Sequence, residues 1–190
     1  GNRPLVYGKH PKGGYVVASE ACALTANGVY KSTEVSAGTI MYFNEAGVQK
    51  RNLHHGKKPE RRCIFEAAYY CQAVGKTMDV PIAAFRYALG DRLAEEHPVL
   101  NAGLILPVQN SGLIAGRGFA ATNPSGTLDE VSLIRNPYAG RTFIAGTQVT
   151  RDASVRRKFL IDPSAIRGKV VVLVDDSLVR GTTILHLVQL

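Results

Sequence analysis

The 190 residues, 45% hydrophobic and 20% charged, suffice for one or two domains with a real core and exclude a disordered chain. A net charge of +8 suits phosphorylated small molecules, nucleic acid or an anionic membrane and does not choose among them. No run approaches about 18 uninterrupted apolar residues, and no basic-then-apolar signal opens the chain, so neither a membrane span nor a secretory leader is expected.

Residues 1–50 read as a small β-rich unit. Pro4–Tyr7, Tyr15–Ala18 and Thr39–Phe43 are short apolar runs separated by glycine-containing turns such as Lys12-Gly13-Gly14. Residues 51–62 are basic and turn-like, with His54-His55, Lys57 and Lys58, and form the best linker candidate. Cys63–Cys71 is a further apolar stretch read as a strand. Cys22, Cys63 and Cys71 have no C-x-x-C spacing, and their odd number favours a reducing compartment.

From Val80 to Glu96, Ile82, Phe85, Leu89 and Leu93 recur every three or four residues and predict a helix. Gly103–Val108 is an apolar run ending in Gln109-Asn110-Ser111-Gly112, followed by a second helix through Phe119. Val131–Ile134 predicts another strand. Tyr138–Lys158 is polar and arginine-rich: from Arg135 to Lys158 there are six basic residues and one acid, Asp152. Lys169–Val174 is the clearest buried strand, read as a central one. Strands alternating with helices from residue 80 onward predict a parallel α/β sheet. Gly116-x-Gly118-x-x-Ala121 imitates a dinucleotide fingerprint but falls inside the second helix, well past the strand, and is discounted. The chain opens at Gly1 and stops seven residues after Thr183 in an apolar stretch, so it reads as an internal slice that folds poorly alone.

The chemistry concentrates where the last strand ends. Val170–Val174 runs into Asp175-Asp176-Ser177-Leu178-Val179-Arg180-Gly181-Thr182-Thr183, and ligands of open α/β sheets bind at strand carboxyl ends. Gly181 lets the backbone approach a phosphate, the threonines offer hydroxyls, and a helix start offers free N–H groups. Two adjacent carboxylates suit ribose hydroxyls or a magnesium ion shared with a pyrophosphate. A helix cap alone needs one Asp or Ser, and this loop holds more than that.

Val170–Thr183 resembles the phosphoribosyl-pyrophosphate (PRPP) signature of type I phosphoribosyltransferases, and in this form most closely the amidophosphoribosyltransferase family. Asn136–Ile144, Thr147-Gln148, Val155–Lys158, Cys63–Glu66, Tyr15–Glu20 and Arg3-Pro4-Leu5 match that family in order along nearly the whole chain. The resemblance implies an α/β fold in two parts. Residues 1–62 would be the end of an N-terminal-nucleophile glutaminase domain plus linker, and 63–190 the first part of a truncated type I phosphoribosyltransferase domain. It also implies transfer of glutamine-derived ammonia to PRPP, giving 5-phosphoribosylamine and pyrophosphate, as the first step of purine nucleotide synthesis.

By the same resemblance, Asp175 and Asp176 hold the ribose hydroxyls and place magnesium. Ser177, Val179, Arg180, Gly181, Thr182 and Thr183 cradle the 5′-phosphate. Asn110, Ser111 and Gly112 form the pyrophosphate turn, where Gln109 and Asn110 replace a proline and an acid. Tyr138, Arg141, Thr142, Phe143 and Arg156 belong to a flexible lid. The family's N-terminal cysteine nucleophile is absent here, so no catalytic residue is assigned and the slice alone is expected to be inactive. Cys63 lies in a matching stretch, but further iron–sulfur ligands would lie beyond Leu190, which leaves a cluster open. The implied partners are PRPP and glutamine, without nucleic acid or membrane, in a cytoplasmic homo-oligomer when full length. A PRPP-sensing regulator without turnover and a salvage phosphoribosyltransferase are the alternatives. The β-rich front speaks against the first, and the family match ahead of residue 60 against the second.

Overall fold

The structure is a computed structural model and describes residues 3–53, 63–77, 79–139, 158–178 and 181–189. It divides into two compact units, Gly1–Phe85 and Arg86–Leu190.

In the first unit, β1 (Val6–Lys9) lies between β2 (Tyr15–Ala18) and β3 (Thr33–Glu34), antiparallel to both. Val6 on β1 packs with Leu24 of the short helix α1 (Ala21–Ala26), with Val29, and with the half-buried Val16 and Ala18. β4 (Thr39–Asn44) and β5 (Gly47–Asn52) form a hairpin whose Phe43 ring meets Tyr7 at 5.3 Å and Tyr15 at 5.1 Å. β5 therefore takes Arg51 and Asn52 out of the expected linker, because Thr39 and Ile40 need partners across the hairpin. Residues 54–62, the rest of that linker, lie outside the described residues.

Cys63–Cys71 is not a strand. Glu66–Tyr70 is a single π-helical turn, and the buried positions Ala67 and Cys71 stand four apart, a helical spacing and not an alternation. They pack with Ile82 and Phe85. Arg3 fixes the turn from outside, its guanidinium 4.1 Å over the Tyr70 ring and 3.4 Å from the Glu66 carboxylate. Glu20 accepts a hydrogen bond of 2.7 Å from the Gln72 N–H. After it, β6 (Lys76–Thr77) and β7 (Val80–Pro81) form a two-residue pair, so the expected helix starts at Ile82 and runs to Glu96 as α2.

The second unit contains the expected parallel sheet. β8 (Leu104–Pro107) lies between β9 (Thr127–Leu128) and β12 (Val171–Val174), parallel to both. Among the described strands β8 is the central one and is buried throughout, while β12 is half-buried until Val174. Strand alternation sends Leu106, Val171 and Leu173 to one face and Ile105, Val172 and Val174 to the other. The first face is covered by Leu133 and Phe159 of the antiparallel pair β10 (Leu133–Arg135) and β11 (Phe159–Ile161). Ile166 of α4 (Pro163–Ile166) and Ile184 and Leu187 of α5 (Thr182–Val188) complete that cover. The second is covered by Ala94 of α2 and Ala115, Phe119 and Ala120 of α3 (Leu113–Thr122). Both faces are thus apolar, which is why β8 and β12 read as unbroken apolar runs.

The glycines of the dinucleotide look-alike serve packing. Gly116 lies against Pro107 of β8, where a Cβ would come within 2.8 Å of the proline Cβ. Gly118 lies against α2, and so does Gly90 of α2 against α3. The entry to β8 is set by Asn123, which is buried. Its side chain accepts from the Val99 N–H at 2.8 Å and donates to the carbonyls of Val99 and Ser125 at 3.0 and 2.6 Å. β10 begins two residues later than expected, because Asp129 accepts the N–H groups of Val131 and Ser132, both at 2.9 Å, and holds them in a turn.

Candidate functional site

β8 and β12 end side by side. Val174 is in register with Pro107, and the Val108 N–H donates to the Val174 carbonyl at 2.8 Å. The two polar loops that follow them therefore meet. Gly112 marks the junction: a Cβ there would stand 2.5 Å from the Val174 oxygen and 3.1 Å from the Asp175 Cα. Any side chain at this position would part the loops, so glycine is required by close approach.

In the β12 loop, Asp175 Oδ1 accepts from the Asp176 N–H at 2.9 Å, and Ser177 Oγ donates to Asp176 Oδ2 at 3.3 Å. The chain enters α5 through Gly181 at φ +69°, a left-handed backbone that glycine adopts without strain. Burial, and then the neighbouring Asp176, push the Asp175 carboxyl up to about 7. Lys158 is the cation nearest in effect. Burial and then Arg135 push its ammonium down, while Asp175 and Asp176 pull it up. Lys158, just before β11 and within the field of Arg135, thus faces the two acids that follow β12.

The Asp175 shift sets a sign for pH dependence. Its folded value lies above the ordinary 3.8, so its contribution to stability is fully present below about 4 and is lost as pH rises through about 7. Without added divalent cation, Asp175→Asn should match the wild-type melting temperature near pH 4 and exceed it at pH 8. Parallel melting curves at all pH values would contradict this reading.

In the β8 turn, the Gln109–Asn110 peptide is cis, Asn110 is exposed and Ser111 is half-buried. The Gln109 side-chain amide donates to the Glu130 carbonyl at 2.6 Å, and Arg117 of α3 grips the Glu130 carboxylate at 2.5 and 3.0 Å. That pairing lowers the Glu130 carboxyl below the usual carboxylate range. Sequence reading did not find Arg117 and Glu130, because their partners are 13 and 21 residues apart and follow no motif.

Of the expected site residues, the structure brings Asp175 beside Gly112, with Asp176 and Ser177 next along one loop and Ser111 along the other, and places Gly181 and Thr183 at the start of α5. Tyr138 is 92% exposed just after β10. Val179, Arg180, the Thr182 side chain, Arg141, Thr142, Phe143 and Arg156 lie outside the described residues. None of Cys22, Cys63 and Cys71 is in a disulfide. Among the described residues no group of three His, Cys, Asp or Glu side chains stands ready to hold a metal.

No family model matches the chain. Amidophosphoribosyltransferase of Staphylococcus aureus (strain Mu50 / ATCC 700699) is 36% identical over 188 residues, 99% of this chain and 37% of that protein. Amidophosphoribosyltransferase 1, chloroplastic, of Arabidopsis thaliana is 37% identical over 190 residues, 100% of this chain and 33% of that protein. A solved structure of glutamine PRPP amidotransferase from B. subtilis, complexed with ADP and GMP, superposes with a TM-score of 0.81 at 35% identity. It covers 96% of this chain and 39% of that one. A second, of the allosteric regulatory enzyme of purine biosynthesis, gives 0.84 at 34% identity over 100% of this chain and 40% of that one. The chain is thus homologous from end to end to a stretch of the amidophosphoribosyltransferases, and it spans less than half the length of the relatives it matches.

Proposed function

We propose that the chain forms the phosphoribosyl-binding part of an enzyme that transfers ammonia from glutamine to PRPP, giving 5-phosphoribosylamine and pyrophosphate at the first step of purine nucleotide synthesis. The observation that carries this reading is the meeting of the β12 loop with the β8 turn, in a chain homologous along its whole length to amidophosphoribosyltransferases. Asp175 and Asp176 take the ribose hydroxyls. Ser177, Val179, Arg180, Gly181, Thr182 and Thr183 take the 5′-phosphate. The pyrophosphate rests on Asn110, Ser111 and Gly112. Tyr138, Arg141, Thr142, Phe143 and Arg156 close over it as a cationic lid that excludes water.

The acid pair fits magnesium. Burial and then Asp176 keep a proton on Asp175 up to about 7, a proton that a divalent ion would displace, and an ion that keeps waters and substrate oxygens needs few protein ligands. Bound there through Asp175 and Asp176, magnesium would neutralise charge on the leaving pyrophosphate. The chemistry needs positioning more than covalent help: ammonia attacks C1 of the ribose as the C1–O bond to pyrophosphate breaks. No nucleophile for glutamine hydrolysis is assigned among these residues. Residues 1–62 are read as the end of the glutaminase domain, which their antiparallel strands support, and 63–190 as part of the transferase domain. Three cysteines outside any disulfide suit a reducing compartment, such as the cytoplasm, and a homo-oligomer is expected.

The test is direct. The intact protein, given PRPP, magnesium and ammonia, should release pyrophosphate. Binding of PRPP without release would instead favour a non-catalytic sensor, a reading that the basic charge and Asn110 fit.

A further inference from the structure

We propose that Gln109 is a positioning residue for the β8 turn, which it holds in shape through a brace made with Glu130 and Arg117. The inference rests on the reading of that turn as the pyrophosphate site. A proline at this position would stiffen the turn by fixing its own φ. Gln109 has no such constraint, so the turn needs another source of rigidity if its N–H groups are to stand ready for an anion.

The geometry supplies one. Gln109 is half-buried, and its amide reaches across to the Glu130 carbonyl at 2.6 Å. Glu130 follows β9 and is itself held by the two-pronged contact from Arg117, at 2.5 and 3.0 Å. Arg117 stands on α3, the helix that begins where the turn ends. The contacts therefore close a ring: turn, Glu130, Arg117, and back along α3 to Gly112. Within it, the Gly112 N–H donates to Val108 and the Gly116 N–H to Gly112, at 2.9 and 2.8 Å, so the rest of the ring is hydrogen-bonded backbone. The Gln109 amide is the side-chain link that attaches the turn to it. A turn ordered before its ligand arrives loses less freedom on binding, so the brace acts on affinity and not on the bond-breaking step.

The experiment uses the intact protein and titrates magnesium pyrophosphate and PRPP into wild type, Gln109→Leu and Gln109→Pro by calorimetry. Amide hydrogen exchange at Ser111 and Gly112 is followed without ligand. Leucine keeps the bulk and removes the donor. It should weaken pyrophosphate binding about five- to tenfold, the size of one lost hydrogen bond, and speed exchange at Ser111 and Gly112. The loss should fall on the KM for PRPP more than on kcat. Proline should restore much of the affinity by constraining the backbone directly. If leucine binds pyrophosphate and PRPP as wild type does, the brace has no positioning role and the inference falls alone. If leucine also lowers the melting temperature, Arg117→Gln decides, since its side chain is exposed: weakened pyrophosphate binding supports the brace and unchanged binding overturns it. Failure of the wild-type protein to bind either ligand would overturn the functional reading, and this inference with it.

Discussion

Gly90→Ala should destabilise the protein by about 3 kcal/mol, the upper part of the range for overpacking a core, although alanine is the better helix former. Intrinsic propensity alone favours alanine over glycine by about 1 kcal/mol inside a helix, so the two effects have opposite signs. The close approach of α2 and α3 decides which wins. A Cβ on Gly90 would lie 1.8 Å from the Ala115 oxygen, 2.6 Å from its carbon and 2.9 Å from the Phe119 nitrogen. All three are backbone atoms and none can rotate away. Gly118 is the reciprocal contact, with the Tyr87 oxygen at 2.0 Å and the Asp91 nitrogen at 3.0 Å from its would-be Cβ. To admit a methyl group the helices must separate, and that opens the layer where Ala94 and Phe119 pack with Ile105. Denaturant midpoints of wild type and Gly90→Ala measure the change. Glu95→Ala, on the exposed side of α2, serves as the control and should shift stability by no more than about 0.5 kcal/mol. A Gly90→Ala protein as stable as wild type, or more so, would mean that the helices do not cross this closely.

That prediction also shows what sequence reading could reach. The Gly116-x-Gly118 pattern could be dismissed as a nucleotide site because it follows β8 at the wrong distance, yet nothing in its spacing named Gly90 as its partner 28 residues upstream. The parallel sheet was legible because both faces of β8 and β12 are covered, which leaves continuous apolar runs bounded by glycine and polar loops. Which strand is central was not, since Val171–Val174 and Leu104–Pro107 look alike as sequences and differ only in having one described partner or two. Cys63–Cys71 misled because its apolar residues face several ways: Ile64, Phe65, Tyr69 and Tyr70 are exposed, and only the spacing of Ala67 and Cys71 reveals the helical turn. The β12 loop was readable from local composition. Its meeting with Gly112 follows from strand order, and the brace on Gln109 from side chains that no local pattern connects.

Asp176→Ala should abolish measurable PRPP binding while leaving the fold intact. Asp176 stands two residues past β12, is half-buried, and spends one oxygen on the Ser177 hydroxyl at 3.3 Å, a long contact that a ligand hydroxyl can replace. A carboxylate that accepts two ribose hydroxyls makes two charge-assisted hydrogen bonds, each worth about 1.5–3 kcal/mol. Losing both corresponds to roughly a hundredfold weaker binding or more. The cost to the protein is small by comparison, because the carboxylate has no charged partner within ion-pair distance among the described residues and removing it takes away the cause that, after burial, raises the Asp175 carboxyl. Asp175 should accordingly ionise at lower pH in Asp176→Ala, and the excess stability of Asp175→Asn at pH 8 should shrink when both changes are combined. Calorimetry with PRPP and magnesium reads the first effect and melting curves across pH read the second. Wild-type affinity in Asp176→Ala would remove the acid pair from the ribose site. A carboxyl at Asp175 still titrating near neutrality would leave burial as the sole cause of its shift.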